Sequence, residues 1–397
     1  MLEELGRGRE AGSGGPEETP LSRALRALTD GRYDEATLHR GALDPGGAWH
    51  AALGAALDQA HGRFEAALAG WDAALARDPR LLFARQNRAL LLEHLGRVEE
   101  AVADLEVAAE LAADDAEIAA DLGRVLWRLG RLGEALEALD RALALAPGSP
   151  AAHNDRGLVL QALGRTAEAI EAFAAAVACD PAYLPARLNQ AEFLVRQRRF
   201  EEAVATIDEA VAAGARSAEL LYWRGCALRG TGRREEALAA LEEAVGLAPD
   251  HARAHCERGL VLLELDREEE ALAAFDRSSR GTGELAVSHL GRGSALHQLG
   301  RPGEALAAID RALALDPHFF EALVERGNVL RTLGRASEAL AAYEAALALQ
   351  PGNAAIHSNR GNILMDMGHL AEARAAFERA LELDPGMASA FDNLLWC

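Results

Sequence analysis

Fourteen side chains in this sequence have the types a chain uses to hold another chain. Seven are asparagines: Asn87, Asn154, Asn189, Asn328, Asn359, Asn362 and Asn393. Asn328 to Asn359, and Asn362 to Asn393, repeat one spacing of 31 residues. A side-chain amide carries both donors and an acceptor, so a row of amides can grip a peptide backbone without reading its sequence. The other seven are Arg124, Trp127, Arg128, Arg196, Tyr222, Trp223 and Arg229. Arg, Trp and Tyr dominate binding hot spots, and with Asn154 these residues form a middle cluster.

Other reactive types point elsewhere. His153, His255, His289 and His357 recur at multiples of 34 residues. Consecutive copies would stand about one helix-packing distance apart, on the order of 8–10 Å, too far to share one metal ion. They read as packing residues with a hydrogen bond. Cys179, Cys226, Cys256 and Cys397 make no close pair, which disfavours a disulfide scaffold or a structural zinc site. Cys226 and Cys256 could approach each other, without further ligands. Glu134, Glu168 and Glu236 recur with the same period, as expected of carboxylates at helix starts rather than a catalytic pair. Arg63, Arg97, Arg131 and Arg165 are expected to complement helix C-termini. There is no phosphate loop, G-x-S-x-G elbow or H-E-x-x-H. No catalytic residue, cofactor or metal is expected.

The elements behind these residues follow a 34-residue period. In residues 320–353, Gly334 after Leu333 fits a left-handed helix C-cap. Glu338 lies in the first turn of the next helix, Ala339 and Ala346 share its face, and Pro351 ends it. Gly327 is a small residue where the two helices must touch. The unit repeats ten times without insertion over 48–387, starting at Ala48, Leu82, Ala116, Pro150, Leu184, Ala218, Ala252, Ala286, Phe320 and Ala354. Position 20 is always Ala, position 8 is Gly or Ala, and position 24 is large and apolar, from Trp71 to Phe377. A helical hairpin with one apolar face uncovered needs neighbours to complete its core.

Residues 1–20 are Gly-, Glu- and Pro-rich and are expected to be a disordered tail. Residues 21–47 look like a degenerate first unit acting as a cap, its second helix shortened. Residues 388–397 begin a further first helix: a capping helix, or the point where a longer protein is cut. Ser278, Asp266 and the stretch 278–283 mark the unit at Ala252 as the weakest, with a soft joint expected there. Arg198 also replaces a turn glycine.

The net charge is −21, from 62 acids and 41 bases, every base an arginine. That balance argues against a nucleic-acid groove and an anionic membrane surface. No run approaches the roughly 18 apolar residues of a membrane span, and the first residues lack a signal peptide's apolar core. The expected location is cytoplasmic.

The period and the small–large–small spacing resemble the tetratricopeptide repeat, which implies an all-α, right-handed superhelical solenoid of stacked hairpins. The usual aromatic at position 4 is often His here. The usual Leu at position 7 is Arg in Arg88, Arg156, Arg224, Arg258, Arg292, Arg326 and Arg360. The resemblance implies that first-helix positions 2, 5, 6, 9, 12 and 13 face a concave groove. Those positions hold eleven acids against six arginines. No position 5 is basic, which disfavours the family's carboxylate clamp for chaperone tails. The asparagines resemble the ladder in the repeat domains of O-linked N-acetylglucosamine transferases, although Trp223, Glu257, Gly291 and Glu325 interrupt it. FDNLLWC looks like the junction to a catalytic domain in their bacterial relatives. The leading expectation is a non-enzymatic scaffold or adaptor holding a protein or peptide partner in the groove. The alternatives are the substrate-recognition arm of a protein glycosyltransferase, and self-assembly by end-to-end stacking through Leu394, Leu395 and Trp396.

Overall fold

The computed structural model describes residues 19–280, 284–394 and 396. Among these the chain forms 23 helices and no strand. It divides into two compact units, residues 1–190 and 191–397, each a stack of helical hairpins. First helices begin at Ala48, Leu82, Ala116, Pro150, Leu184, Ala218, Ala252, Ala286, Phe320 and Ala354. Pro20 already begins a helix, capped by the Thr19 hydroxyl, so helix starts inside the stretch expected to be disordered. Residues 1–18 of that stretch lie outside the described residues.

Each hairpin closes through a Schellman turn. In the hairpin at Leu82, the Gly96 N–H donates to the Glu93 carbonyl (3.1 Å) and the Arg97 N–H to the Leu92 carbonyl (2.8 Å). Gly96 has φ +76°, the left-handed region open to glycine without cost. Arg198 (φ 58°) and Asp266 (φ 55°) adopt the same conformation with side chains. Their turns keep the same bonds, at a cost of about 1 kcal/mol each.

The core is one contact repeated. The large residue at position 24 is buried, from Trp71 to Phe377, and in the seven hairpins with glycine at position 8 it packs on that glycine. A methyl group added to Gly157 would stand 2.6 Å from Phe173; at Gly259 it would stand 2.6 Å from Phe275, and at Gly327 2.5 Å from Tyr343. No carbon fits at those distances, so only glycine lets these helices meet.

The position-7 arginines bind the preceding hairpin. Arg156 donates to Asp140, Arg224 to Asp208, Arg292 to Asp276 and Arg326 to Asp310, at 2.7–2.8 Å. Arg88 reaches Asp72 and also the buried Asp104. Arg258 and Arg360 pair more loosely with Glu242 and Glu344 (3.2 and 3.6 Å). The departure from Leu therefore replaces an apolar contact by a salt bridge between neighbours, worth about 0.2–1 kcal/mol each.

Position 16 corrects the sequence reading. These arginines stand at the N-cap of the second helix, and three of the four named point forward, not back to a C-terminus. Arg97, Arg131 and Arg165 each hold the carboxylate three residues on, Glu100, Glu134 and Glu168, through Nε and Nη2. Arg63 pairs with Asp58 instead. The hydrogen bond from Arg97 holds the Glu100 carboxyl below its ordinary range.

The hairpin at Ala252 has the shortest second helix of the ten, Glu268–Ser278, at 11 residues. Ser278 is fully buried and its hydroxyl donates to the Ala252 carbonyl (2.9 Å). The soft joint expected at 278–283 falls partly on 281–283, outside the described residues.

Candidate functional site

Within each unit, first helices of successive hairpins touch, as those from Ala116 and Pro150 do, and those from Ala218 and Ala252. Side chains on this face bond to partners 28–35 residues away, one hairpin along. Two polar sites stand out, one in each unit.

In the first unit, Asp121, Arg124 and Arg128 share one stripe of the helix Ala116–Arg128. Arg124 donates to both oxygens of Glu93 at 2.6 Å and to Asp121 at 3.0 Å. Arg128 donates to the same Glu93 at 2.6 Å. Glu93 is only 6% exposed, a buried carboxylate between two guanidiniums. Burial opposes the Arg124 charge, but Asp121 and Glu93 outweigh it and raise its pKa. Beside them Asn189 donates to Asn154 (2.8 Å), which donates to Asp155 (3.2 Å). Trp127 is half-buried against the core around Leu92 and Leu126.

Burial pushes the Asp155 carboxyl up to about 6; Arg124 pulls it down while Asp121 and Glu93 add to the rise. A carboxyl whose folded pKa exceeds its unfolded value of about 3.9 takes up a proton on folding. It therefore favours the folded state at acid pH, and that contribution is lost as the pH rises from about 4 through about 6. Asp155→Asn is expected to stabilise the first unit by about 1–2 kcal/mol at pH 7.5 and by little at pH 4, read from thermal melts. An equal gain at both values would show that ionisation is not the cause.

In the second unit, Tyr222 and Trp223 are buried, 8% and 5% exposed. The sequence puts them on the groove face as binding anchors; in the structure Arg253 from the next hairpin lies over both rings. Arg229 links Glu257 (2.8 Å) and Glu264 (2.7 Å), and Arg234 also reaches Glu264. Arg196 is exposed and pairs with Glu192 on its own helix. The structure therefore sorts the middle cluster into two sets, each in its own unit.

The asparagines do not behave alike. Asn393 donates to Asn362 (2.7 Å), as their 31-residue spacing suggests. Asn328 does not pair with Asn359 in that way: its amide donates to Glu325 and its oxygen accepts from the Tyr343 hydroxyl (2.8 Å). Asn359 is half-buried on the same helix as Asn362. Asn87 is buried and bonds its own helix at the Phe83 carbonyl (2.7 Å). Several of these amides thus already serve the fold.

The position-4 histidines hold the preceding hairpin. Nε2 of His153, His255 and His357 lies 2.9 Å from the carbonyls of Pro147, Pro249 and Pro351. A carbonyl only accepts, so that nitrogen carries the proton. Arg85 and Arg187 make the same reach to Pro79 and Pro181. His289 has no such proline before it, and among the described residues its buried Nε2 has no hydrogen-bond partner, the Glu284 carboxylate standing 3.9 Å away. Burial pushes the Cys256 thiol up to about 12 and the Cys226 thiol higher still, so both are protonated at neutral pH. Among the described residues no three metal-ligating side chains converge.

Arg253 and the buried Glu93 are the residues sequence reasoning missed. Both stand at first-helix positions that were counted for charge but not singled out. Their partners lie 30–35 residues away, so no local motif marks them.

Repeated helical hairpins that bury one face against each neighbour define an α-solenoid. Family models described as tetratricopeptide repeat match residues 84–115, 120–183, 160–222, 224–283, 290–354 and 354–387. The chain belongs to the tetratricopeptide-repeat proteins. Its fold is similar to that of YrrB, a TPR protein with an unusual peptide-binding site (24% identity, 47% of this chain and 96% of that one, TM-score 0.41). It is also similar to pilF of Pseudomonas aeruginosa (22% identity, 52% and 94%, TM-score 0.46). A third similar structure is the APC/C hetero-tetramer Cut9–Hcn1 (15% identity, 94% and 88%, TM-score 0.48). No curated protein matches the chain.

Proposed function

We propose that the protein is a non-enzymatic adaptor that holds an extended segment of a partner protein along its first-helix face. The observation that supports this is a division of labour along the repeat. Positions 8, 20 and 24 hold the same kind of residue in every hairpin and are buried. The first-helix face changes from one hairpin to the next, from the Glu93–Arg124–Arg128 network to the Tyr222–Trp223–Arg253 stack. Packing demands the first set and does not demand the second. Large aromatics and arginines gathered in one place are the usual anchors of a protein interface.

The test is a photo-crosslinking residue placed at Arg128, Arg196 or Arg331, all exposed, in the full chain expressed in its source cells. Partner adducts are expected from these positions and not from an outer position such as Glu171, also exposed. Adducts only from the outer face would refute the reading.

A further inference from the structure

The Tyr222–Trp223 pair is already occupied. The Arg253 guanidinium carbon stands 4.6 Å from the Tyr222 ring centre and 4.9 Å from that of Trp223. His251 adds a third ring, 5.4 Å from Tyr222. Glu219 closes the side, 3.3 Å from Arg253 and 2.9 Å from His251 Nε2. Two rings and a carboxylate around a planar cation, with His251 bracing Tyr222 and Glu219, form a guanidinium site.

Two observations separate this arrangement from ordinary packing. Arg253 is weakly held: its bonds to Glu219 and the Tyr222 hydroxyl are both 3.3 Å, and its side chain is 44% exposed. Four of the inter-hairpin arginines, Arg156, Arg224, Arg292 and Arg326, hold their acids at 2.7–2.8 Å, while the looser Arg258 and Arg360 have no ring beneath them among the described residues. The repeat also does not require these aromatics. Position 5 is otherwise Ala, Gln, Asn, Leu, Cys, Val or Ser, and position 6 carries Trp in this hairpin alone.

We propose that this is an arginine-reading pocket that Arg253 fills in cis until an arginine of the partner's segment takes its place. The inference rests on the adaptor reading and names the partner's chemistry: an extended segment bearing arginine. Charge complementarity supports that occupant, because the first-helix face carries eleven acids against six arginines, Arg253 included. Lysine fits less well, since its ammonium lacks the flat face that stacks on a ring.

Fluorescence anisotropy with the full chain and three labelled nonapeptides tests this. Each peptide alternates Ser with Arg, Lys or Glu, at about 0.15 M salt, where exposed charge pairs are largely screened. The Arg peptide is expected to bind more tightly than the Lys peptide, and the Glu peptide least. Arg253→Ala and the length-conserving Arg253→Gln are expected to tighten the Arg peptide about fivefold by freeing the pocket. Glu219→Gln is expected to weaken it. If Arg253→Ala weakens the Arg peptide or tightens only the Glu peptide, Arg253 is a partner contact and the pocket is refuted. Equal binding of Arg and Lys peptides, or no binding by any variant, refutes it too. Crosslinking from Arg128 or Arg331 would in those cases still stand, so the adaptor reading fails or survives separately.

Discussion

Phe275→Ala is expected to destabilise the second unit by about 3–5 kcal/mol, the usual cost of emptying a buried phenylalanine site. The ring is fully buried between two glycines, Gly259 of its own hairpin and Gly291 of the next. A methyl group on Gly259 would stand 2.6 Å from it, and one on Gly291 would stand closer still. It therefore links two hairpins as well as filling one. Stability in a stacked array is a sum of hairpin terms and neighbour terms, so this single change weakens one of each. The surroundings offer little reserve, since the second helix there has only 11 residues and Asp266 holds a left-handed turn. Hydrogen exchange read peptide by peptide checks the prediction. Residues 252–315 should lose protection first while 354–383 change little. Uniform loss across the second unit would mean that it unfolds as one block. Gly291→Ala acts on the same contact from the other side and is expected to cost about 1–3 kcal/mol by overpacking.

What the repeat imposes was legible in the sequence, and what crosses between hairpins was not. Gly96, Gly334 and their equivalents mark turns because only glycine enters that conformation freely. Trp71, Phe173 and Tyr343 mark the core because the gap beside a small residue must be filled. Both signals sit in one hairpin, within a helix or two of each other. The arginines were harder. Arg97 follows one helix and precedes the next, so its sequence position fits two roles; the backbone at the N-cap selects the second. The Arg156–Asp140 pair was visible in principle, since an acid recurs 16 residues before each position-7 arginine. Trp223 reads as a binding anchor because the family resemblance puts position 6 on the groove face. Its cover, Arg253, comes from the hairpin 30 residues on, and nothing local announces it. Glu93 is similar: an acid near a helix end reads as solvated until two arginines from the next hairpin close over it.

Glu93→Gln should therefore have two effects that no solvated glutamate would show. Glutamine keeps the volume but loses the charge that Arg124 and Arg128 share. Removing one partner of a fully buried pair costs about 3–5 kcal/mol because the other charge is stranded. Here Arg124 and Arg128 keep 29% and 47% of their side-chain exposure, so water relieves part of that loss. A fall of about 1–2 kcal/mol in the first unit is expected, measured by chemical denaturation. The second effect is on the surface. With Glu93 neutral, two guanidiniums face the first-helix side with Asp121 as the remaining ion partner of Arg124. The site then loses one negative charge, and Asp155, which the Glu93 charge pushes up, should titrate at lower pH. NMR titration of the Asp155 carboxyl in both proteins reads that shift directly. A lower value together with reduced stability would place Glu93 as the residue that keeps two arginines neutralised within the fold. An unchanged value would mean that the Glu93 charge plays no part in the acidity of Asp155.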